Sequence, residues 1–245
     1  PISTAALLFR SNLVKSDKII FKESQRFFLP IFNKKNIKNS TSQNKNVLSE
    51  LYLEIYDPKM ISKSVHLQYY SFIDIFLKPL EKFLGNYVYL LPKILPFIFG
   101  RLNLLIGYLH SDYSNKIIMS SLPNDKSGTY QYSLSFEKNE LLDKTIKKIT
   151  SYLKENLKDD FYISNRLTNI NLTGASYHYG SSFPMSNFKN SLKNHTNLNG
   201  ELNDYKNIFI LDSSILPDMP AHPTTFNVCI NVARIVDNLN QEGKI

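Results

Sequence analysis

Apolar positions recur at helical spacing in two long stretches of the chain. From residue 223 to 240, Phe226, Cys229, Ile230, Val232, Ala233, Val236 and Leu239 repeat with a period near 3.6. This predicts an amphipathic helix opening at Pro223, where a missing N–H costs nothing. From 138 to 157, Leu141, Leu142, Ile146, Ile149, Tyr152, Leu153 and Leu157 line one face and lysines the other, predicting a second helix. A third and shorter helix is expected near the start, capped by Ser3 and presenting Ala6, Leu7 and Leu8. Shorter apolar or alternating runs predict strands at 19–21, 27–29, 47–55, 65–70, 116–119 and 130–136, and another beginning at Gly107-Tyr-Leu-His110. The run Ile208-Phe-Ile-Leu211, closed by Asp212-Ser-Ser, reads as a buried strand of an α/β sheet. On that reading the loop 213–222 lies beyond the strand's carboxyl end, where open α/β sheets bind ligands.

The most apolar region, 72–109, is interrupted by Pro92, Lys93, Pro96 and Arg101, and no uninterrupted run reaches roughly eighteen apolar residues. It predicts roughly two or three buried or interfacial helices, able to touch a membrane surface or to form the mouth of an apolar pocket. Residues 34–46, rich in Lys, Asn, Ser and Thr, predict an exposed loop. The middle of the chain therefore reads as an antiparallel or mixed sheet with helices, an α+β layer.

At 245 residues and 42% hydrophobic composition, the chain can bury a proper core. The net charge of +8 raises nucleic acid as a partner, but the lysines are scattered rather than gathered into a stripe, so no nucleic-acid partner is expected. The single cysteine, Cys229, is expected as a small core residue and can form no internal disulfide. No basic signal-peptide start and no membrane span are present in the sequence, which points to the cytoplasm.

The chemistry-bearing residues gather late in the chain. His178 and His222 sit in Gly/Ser/Pro-rich loops on either side of the 208–211 run, and His222 directly precedes the final helix. Two imidazoles near one crevice can move a proton near neutral pH, and a helix N-terminus favours any group that becomes anionic. A metal reading of His178, His195 and His222 fails on ligand spacing, so no metal is expected. A hydrolase reading of Ser176, Ser181 or Ser182 with His178 lacks the Gly-x-Ser-x-Gly elbow. His195, in a polar loop, is expected to be exposed, and His66 to be a hydrogen-bonded structural imidazole.

From Gly174 to Asp237 the chain resembles the C-terminal part of the glucose–methanol–choline (GMC) family of flavin oxidoreductases. The resemblance rests on His178 followed by a small-residue loop and Met185 seven positions on. It continues with Ile210-Leu-Asp212-Ser-Ser, Pro217, Pro220 and His222-Pro223-Thr-Thr before a final helix. Gly180 stands two positions after His178 where the family has its glycine at three, and an ungapped count puts Pro223 rather than His222 at the second catalytic position. The resemblance implies FAD as cofactor and an alcohol or sugar as substrate. It makes His178 the catalytic base assisted by His222, with Asp212, Ser213, Pro223, Thr224 and Thr225 near the flavin. It also implies residues 1–14 as a residual flavin-domain helix, 15–190 as a substrate-binding domain, and 191–245 as the last strand and helix of an α/β flavin-binding domain. No Gly-x-Gly-x-x-Gly occurs among the eight glycines, so the resemblance further implies an N-terminal nucleotide-binding half outside this chain. The alternative is a flavin-free binding module on the same scaffold.

Overall fold

The computed structural model describes residues 1–14, 16–35, 49, 51–57, 59, 61–73, 76–78, 81, 85–122, 130–187 and 194–244. Its elements, in chain order, begin with α1 (Ile2–Arg10), β1 (Lys18–Glu23), β2 (Arg26–Asn33), β3 (Leu51–Ile55) and β4 (Val65–Ser71). The single-turn helices α2 (Leu91–Ile94) and α3 (Pro96–Phe99) come next, then β5 (Leu102–Leu109), β6 (Lys116–Leu122) and β7 (Gln131–Glu137). The chain closes with α4 (Leu141–Asn156), β8 (Phe161–Ile163), β9 (Asn169–Ile170), β10 (Tyr179–Gly180) and α5 (Thr225–Gln241). The fold is α+β, with two antiparallel sheets among the described residues. The chain divides into two compact units, one made of 1–25, 109–142 and 172–245, the other of 26–108 and 143–171. The first holds 1–14 and 191–245 together, and with them the stretches 15–25, 109–142 and 172–190.

In the first unit the sheet runs β10-β1-β6-β7. Ile19 pairs with Met119 and Phe21 with Ile117, so four apolar side chains line one face. Strand residues two apart share a face, which is why the alternation Lys18-Ile-Ile-Phe-Lys buries Ile19 and Phe21 and leaves Ile20 exposed. On that face pack Ala5, Leu8 and Phe9 of α1 together with Ile235 and Leu239 of α5. Burying these side chains contributes roughly 1.5–3 kcal/mol for each large one.

In the second unit the sheet runs β3-β4-β5-β2-β8, with β9 also on β2. Phe27, Leu29 and Ile31 alternate inward along β2. Pro30, which donates no hydrogen bond, falls between the residues that pair with β9 (Phe27, Phe28) and those that pair with β8 (Ile31 to Asn33). Phe27 stands opposite Gly107 of β5. A Cβ at Gly107 would lie 2.1 Å from the Phe27 ring, so glycine here leaves room for a fully buried aromatic side chain. His66 is buried on β4 and bonds Glu54, its cross-strand partner, through Nδ1, while Tyr52 stacks on it at 5.4 Å. It is hydrogen-bonded, as the sequence suggests.

Several expectations change. Ile208 to Leu211 forms no sheet strand; Phe209 makes an isolated bridge to Glu201, and Ile210 N–H bonds Gly200 O at 2.8 Å in a local hairpin. A parallel strand requires neighbouring strands to satisfy its backbone, and the described residues supply none here. The last helix starts at Thr225, not at Pro223. Its buried side is Ile235 and Leu239, whereas Phe226, Ile230, Val236 and Cys229 are exposed. Helix α1 starts before Ser3 and buries Ala5, Leu8 and Phe9 rather than Leu7. Gly107-Tyr-Leu ends β5 instead of starting a strand, Leu51 and Leu53 of β3 are exposed, and so are Leu141 and Tyr152 of α4. Strand β7, at the edge of its sheet, is exposed along nearly its whole length. The 36–46 part of the predicted loop lies outside the described residues, as do Val47 and Leu48. No helix among the described residues is long and apolar enough to cross a membrane.

Candidate active site

The site builds outward from the end of β1. Glu23 is fully buried there, and its carboxylate collects the turn that precedes His178. Gly174 N–H donates to Oε2 at 2.9 Å, Ser176 N–H to Oε1 at 3.3 Å, and Ser176 Oγ to Oε1 at 2.6 Å. Ser176 Oγ in turn accepts from His178 N–H at 3.2 Å. His178 O accepts from Ser24 N–H at 2.8 Å, and β10 then pairs with β1 through Tyr179 and Gly180. The backbone of His178 is thus held from both sides of the turn.

That hold works against the local backbone. Tyr177 has φ +62° and Ser181 φ +55°, both left-handed, one on each side of His178. For residues that carry a Cβ, each such conformation costs about 1–2 kcal/mol. Gly174, at φ +85°, takes a third left-handed position at no such cost. Strain of this kind persists only where surrounding contacts over-determine it, and it concentrates at functional sites.

The far side of the loop is fastened to the second stretch singled out in the sequence. Ser181, Phe183 and Met185 N–H donate to Ser213 O, Ser214 O and Ile215 O at 2.9, 2.9 and 2.8 Å. Ser181 Oγ donates to Pro217 O at 2.7 Å and Ser213 Oγ to Tyr179 O at 3.2 Å. A Cβ at Gly180 would lie 2.3 Å from Ser213 O, so only glycine permits this approach. Asp212 caps the short turn Ser213–Ile215 by accepting from Ser214 N–H at 2.7 Å, and it accepts from Thr4 Oγ1 of α1 at 2.6 Å. Burial pushes the Asp212 carboxyl up, but the hydrogen bonds from Ser214 and Thr4 outweigh it and hold the group below its ordinary value.

Of the expected site residues, the structure joins the His178 loop to Asp212 and Ser213 through these backbone bonds. Both side chains serve the chain's own architecture, Asp212 as a turn cap and Ser213 as a tie to Tyr179. His222 is exposed, three residues after Met219, whose backbone is fixed by Ser111 through Ser111 N–H to Met219 O at 2.9 Å. Pro223 stands just before the buried N-cap Thr224, and Thr225 opens α5. The Thr224 side chain makes no capping hydrogen bond there. His195, expected on the surface, is buried, because residues 196–202 fold back and Asn203 N–H bonds its carbonyl at 3.0 Å.

The hydrolase reading loses two of its three candidate nucleophiles. The Ser176 hydroxyl donates to Glu23 and the Ser181 hydroxyl donates to Pro217 O. The Ser182 and Ser214 hydroxyls are buried with no hydrogen-bond partner among the described residues. Sequence reasoning missed Glu23 and Thr4. Glu23 lies in the charged run Lys22-Glu-Ser-Gln-Arg26, which looks like surface until the turn closes on it. The chain matches no protein-family model and no curated protein.

Proposed function

We propose that this chain is the C-terminal part of a GMC-like, FAD-dependent oxidoreductase that oxidises an alcohol or sugar CH–OH group, with His178 as the general base. The observation that carries the reading is the over-determined turn around His178, strained at Tyr177 and Ser181 and fastened to the 213–217 segment. It is the order and spacing of His178, Met185, Asp212 and the final helix that resemble the family, and these segments pack together in one unit.

The residues fit one end of such a cofactor. An N-terminus without a side-chain cap from Thr224, on a 17-residue helix, offers N–H groups to a ring that gains negative charge, and Ser182 and Ser214 hold hydroxyls without a partner among the described residues. The pyrophosphate end needs a glycine-rich turn, which would come from an N-terminal half outside this chain. FAD, when bound, supplies the acceptor for the carbon-bound hydrogen as hydride. His178 takes the hydroxyl proton, and the Glu23–Ser176 hub fixes the backbone from which the imidazole projects. His222, or the Pro223 position beside it, stands next to the start of α5 and assists by orienting the substrate oxygen. General-base help of this kind is worth about 10²–10⁴ in rate.

The exposed stripe Phe226, Cys229, Ile230 and Ala233 on α5 supports the need for a second half. A helix buried between two layers carries apolar residues on both sides, and one side here has no cover among the described residues. In the complete protein, a yellow flavin spectrum bleached by an alcohol without oxygen supports the reading, and His178→Ala should slow that bleaching by about 10²–10⁴. A complete protein that stays colourless in the presence of FAD favours the flavin-free module instead.

A further inference from the structure

The segment 85–99 of the second unit is anchored at two points and turns most of its large apolar side chains outward. Val88 is fully buried, and Phe99 packs on Phe72 with ring centroids 5.0 Å apart. Beside and between these anchors Tyr87 is 78% exposed, Ile94 67% and Phe97 65%, and Leu90, Leu95 and Ile98 are exposed as well. Six large apolar side chains in so short a stretch form far more than the scattered surface hydrophobics of an ordinary fold. Pro92 and Pro96 break the stretch into turns, a 3₁₀ turn Gly85–Leu90 followed by α2 and α3.

We propose that this segment is a docking surface for an anionic lipid bilayer, lying on the membrane rather than crossing it. Charge selects the occupant. No Asp or Glu occurs from 82 to 111, while Lys93 and Arg101 border the exposed apolar residues. The Arg101 guanidinium lies 4.0 Å over the Phe97 ring, which puts a cation at the edge of the apolar surface, where lipid headgroups would meet it. Glu81, at the border, accepts from Tyr89 OH. An irregular run of short turns offers neither the ridge nor the groove that a partner helix needs, whereas the fluid edge of a bilayer conforms to it. A second copy of this chain would bring like charge against like. No helix among the described residues spans a bilayer, so contact is interfacial.

The test is co-sedimentation of the 245-residue chain with vesicles of phosphatidylcholine alone, or of about three parts phosphatidylcholine to one phosphatidylserine. Binding is expected to the mixed vesicles and to weaken with salt. Lys93→Gln should lower partitioning about fivefold, and Ile94→Asp with Phe97→Asp at least about tenfold. Both of the latter positions are exposed, so far-UV circular dichroism should overlay that of the parent. The chain has no tryptophan, so Tyr87→Trp installs a single indole whose emission should shift blue and be quenched by brominated lipid. A parent chain that stays in the supernatant, or an indole unmoved by lipid, overturns the proposal. So does self-association without lipid that the Asp substitutions abolish, which would assign the face to a protein contact.

Discussion

Ser176 Oγ donates to the fully buried Glu23 Oε1 at 2.6 Å while accepting from the backbone N–H of His178. One hydroxyl, 153 positions along the chain from Glu23, thus joins the end of β1 to the residue proposed as the base. Ser176→Ala removes both bonds and takes one donor from a buried carboxylate, which keeps its backbone donors. The expected loss is about 1–3 kcal/mol of stability, read from chemical denaturation. In the flavoenzyme proposed above, turnover should fall more than substrate binding; an unchanged denaturation midpoint would show that the hub is not holding the turn.

Gly180→Ala should be more damaging than its size suggests. The new methyl would meet a backbone carbonyl rather than a flexible side chain, so the 178–185 and 213–217 segments must separate. A cost of about 1–3 kcal/mol is expected. Amide exchange of Ser181 and Phe183, which bond Ser213 and Ser214, should accelerate together. Protection unchanged at both amides would mean that the loops are not coupled.

Gly107→Ala tests the second unit independently. Its methyl would overlap the ring of Phe27, which is fully buried and cannot swing aside. About 1–3 kcal/mol of destabilisation is expected. Adding Phe27→Leu should restore part of that loss, giving a non-additive double-mutant cycle. Strictly additive effects would argue against the contact.

The Asp212 carboxyl is held below its ordinary value of 3.8 by Ser214 and Thr4. A depressed folded-state value makes its contribution fully present above the unfolded-state value and progressively lost as pH falls below it. Stability measured by thermal denaturation should therefore drop on acidification through and below that range. Asp212→Asn should be less stable near neutrality and flatter across the same acid range. A variant with the parent's acid slope would place the dependence on another carboxylate.

The elements with strong internal periodicity are legible in the amino-acid sequence by itself. The α+β class, strands near 19–21, 27–29, 65–70 and 116–119, and the helices at both ends and at 141–156 follow from local spacing, because side-chain direction repeats every 2.0 or 3.6 residues. Composition also marks the two loops that meet in the fold, around His178 and after Asp212. Tertiary structure alone decides what those patterns face. Helix α5 carries apolar residues on more than one side, and periodicity cannot say which side meets Ala5 and Ile19. The run 208–211 has the composition of a buried strand, but a strand exists only where a neighbour completes its hydrogen bonds. Glu23 reads as surface charge until Gly174 and Ser176, distant in sequence, aim their N–H groups at it. Periodicity is a property of neighbours along the chain. Burial and hydrogen-bond partnership depend on residues far away in the chain, and so they emerge only once it has folded.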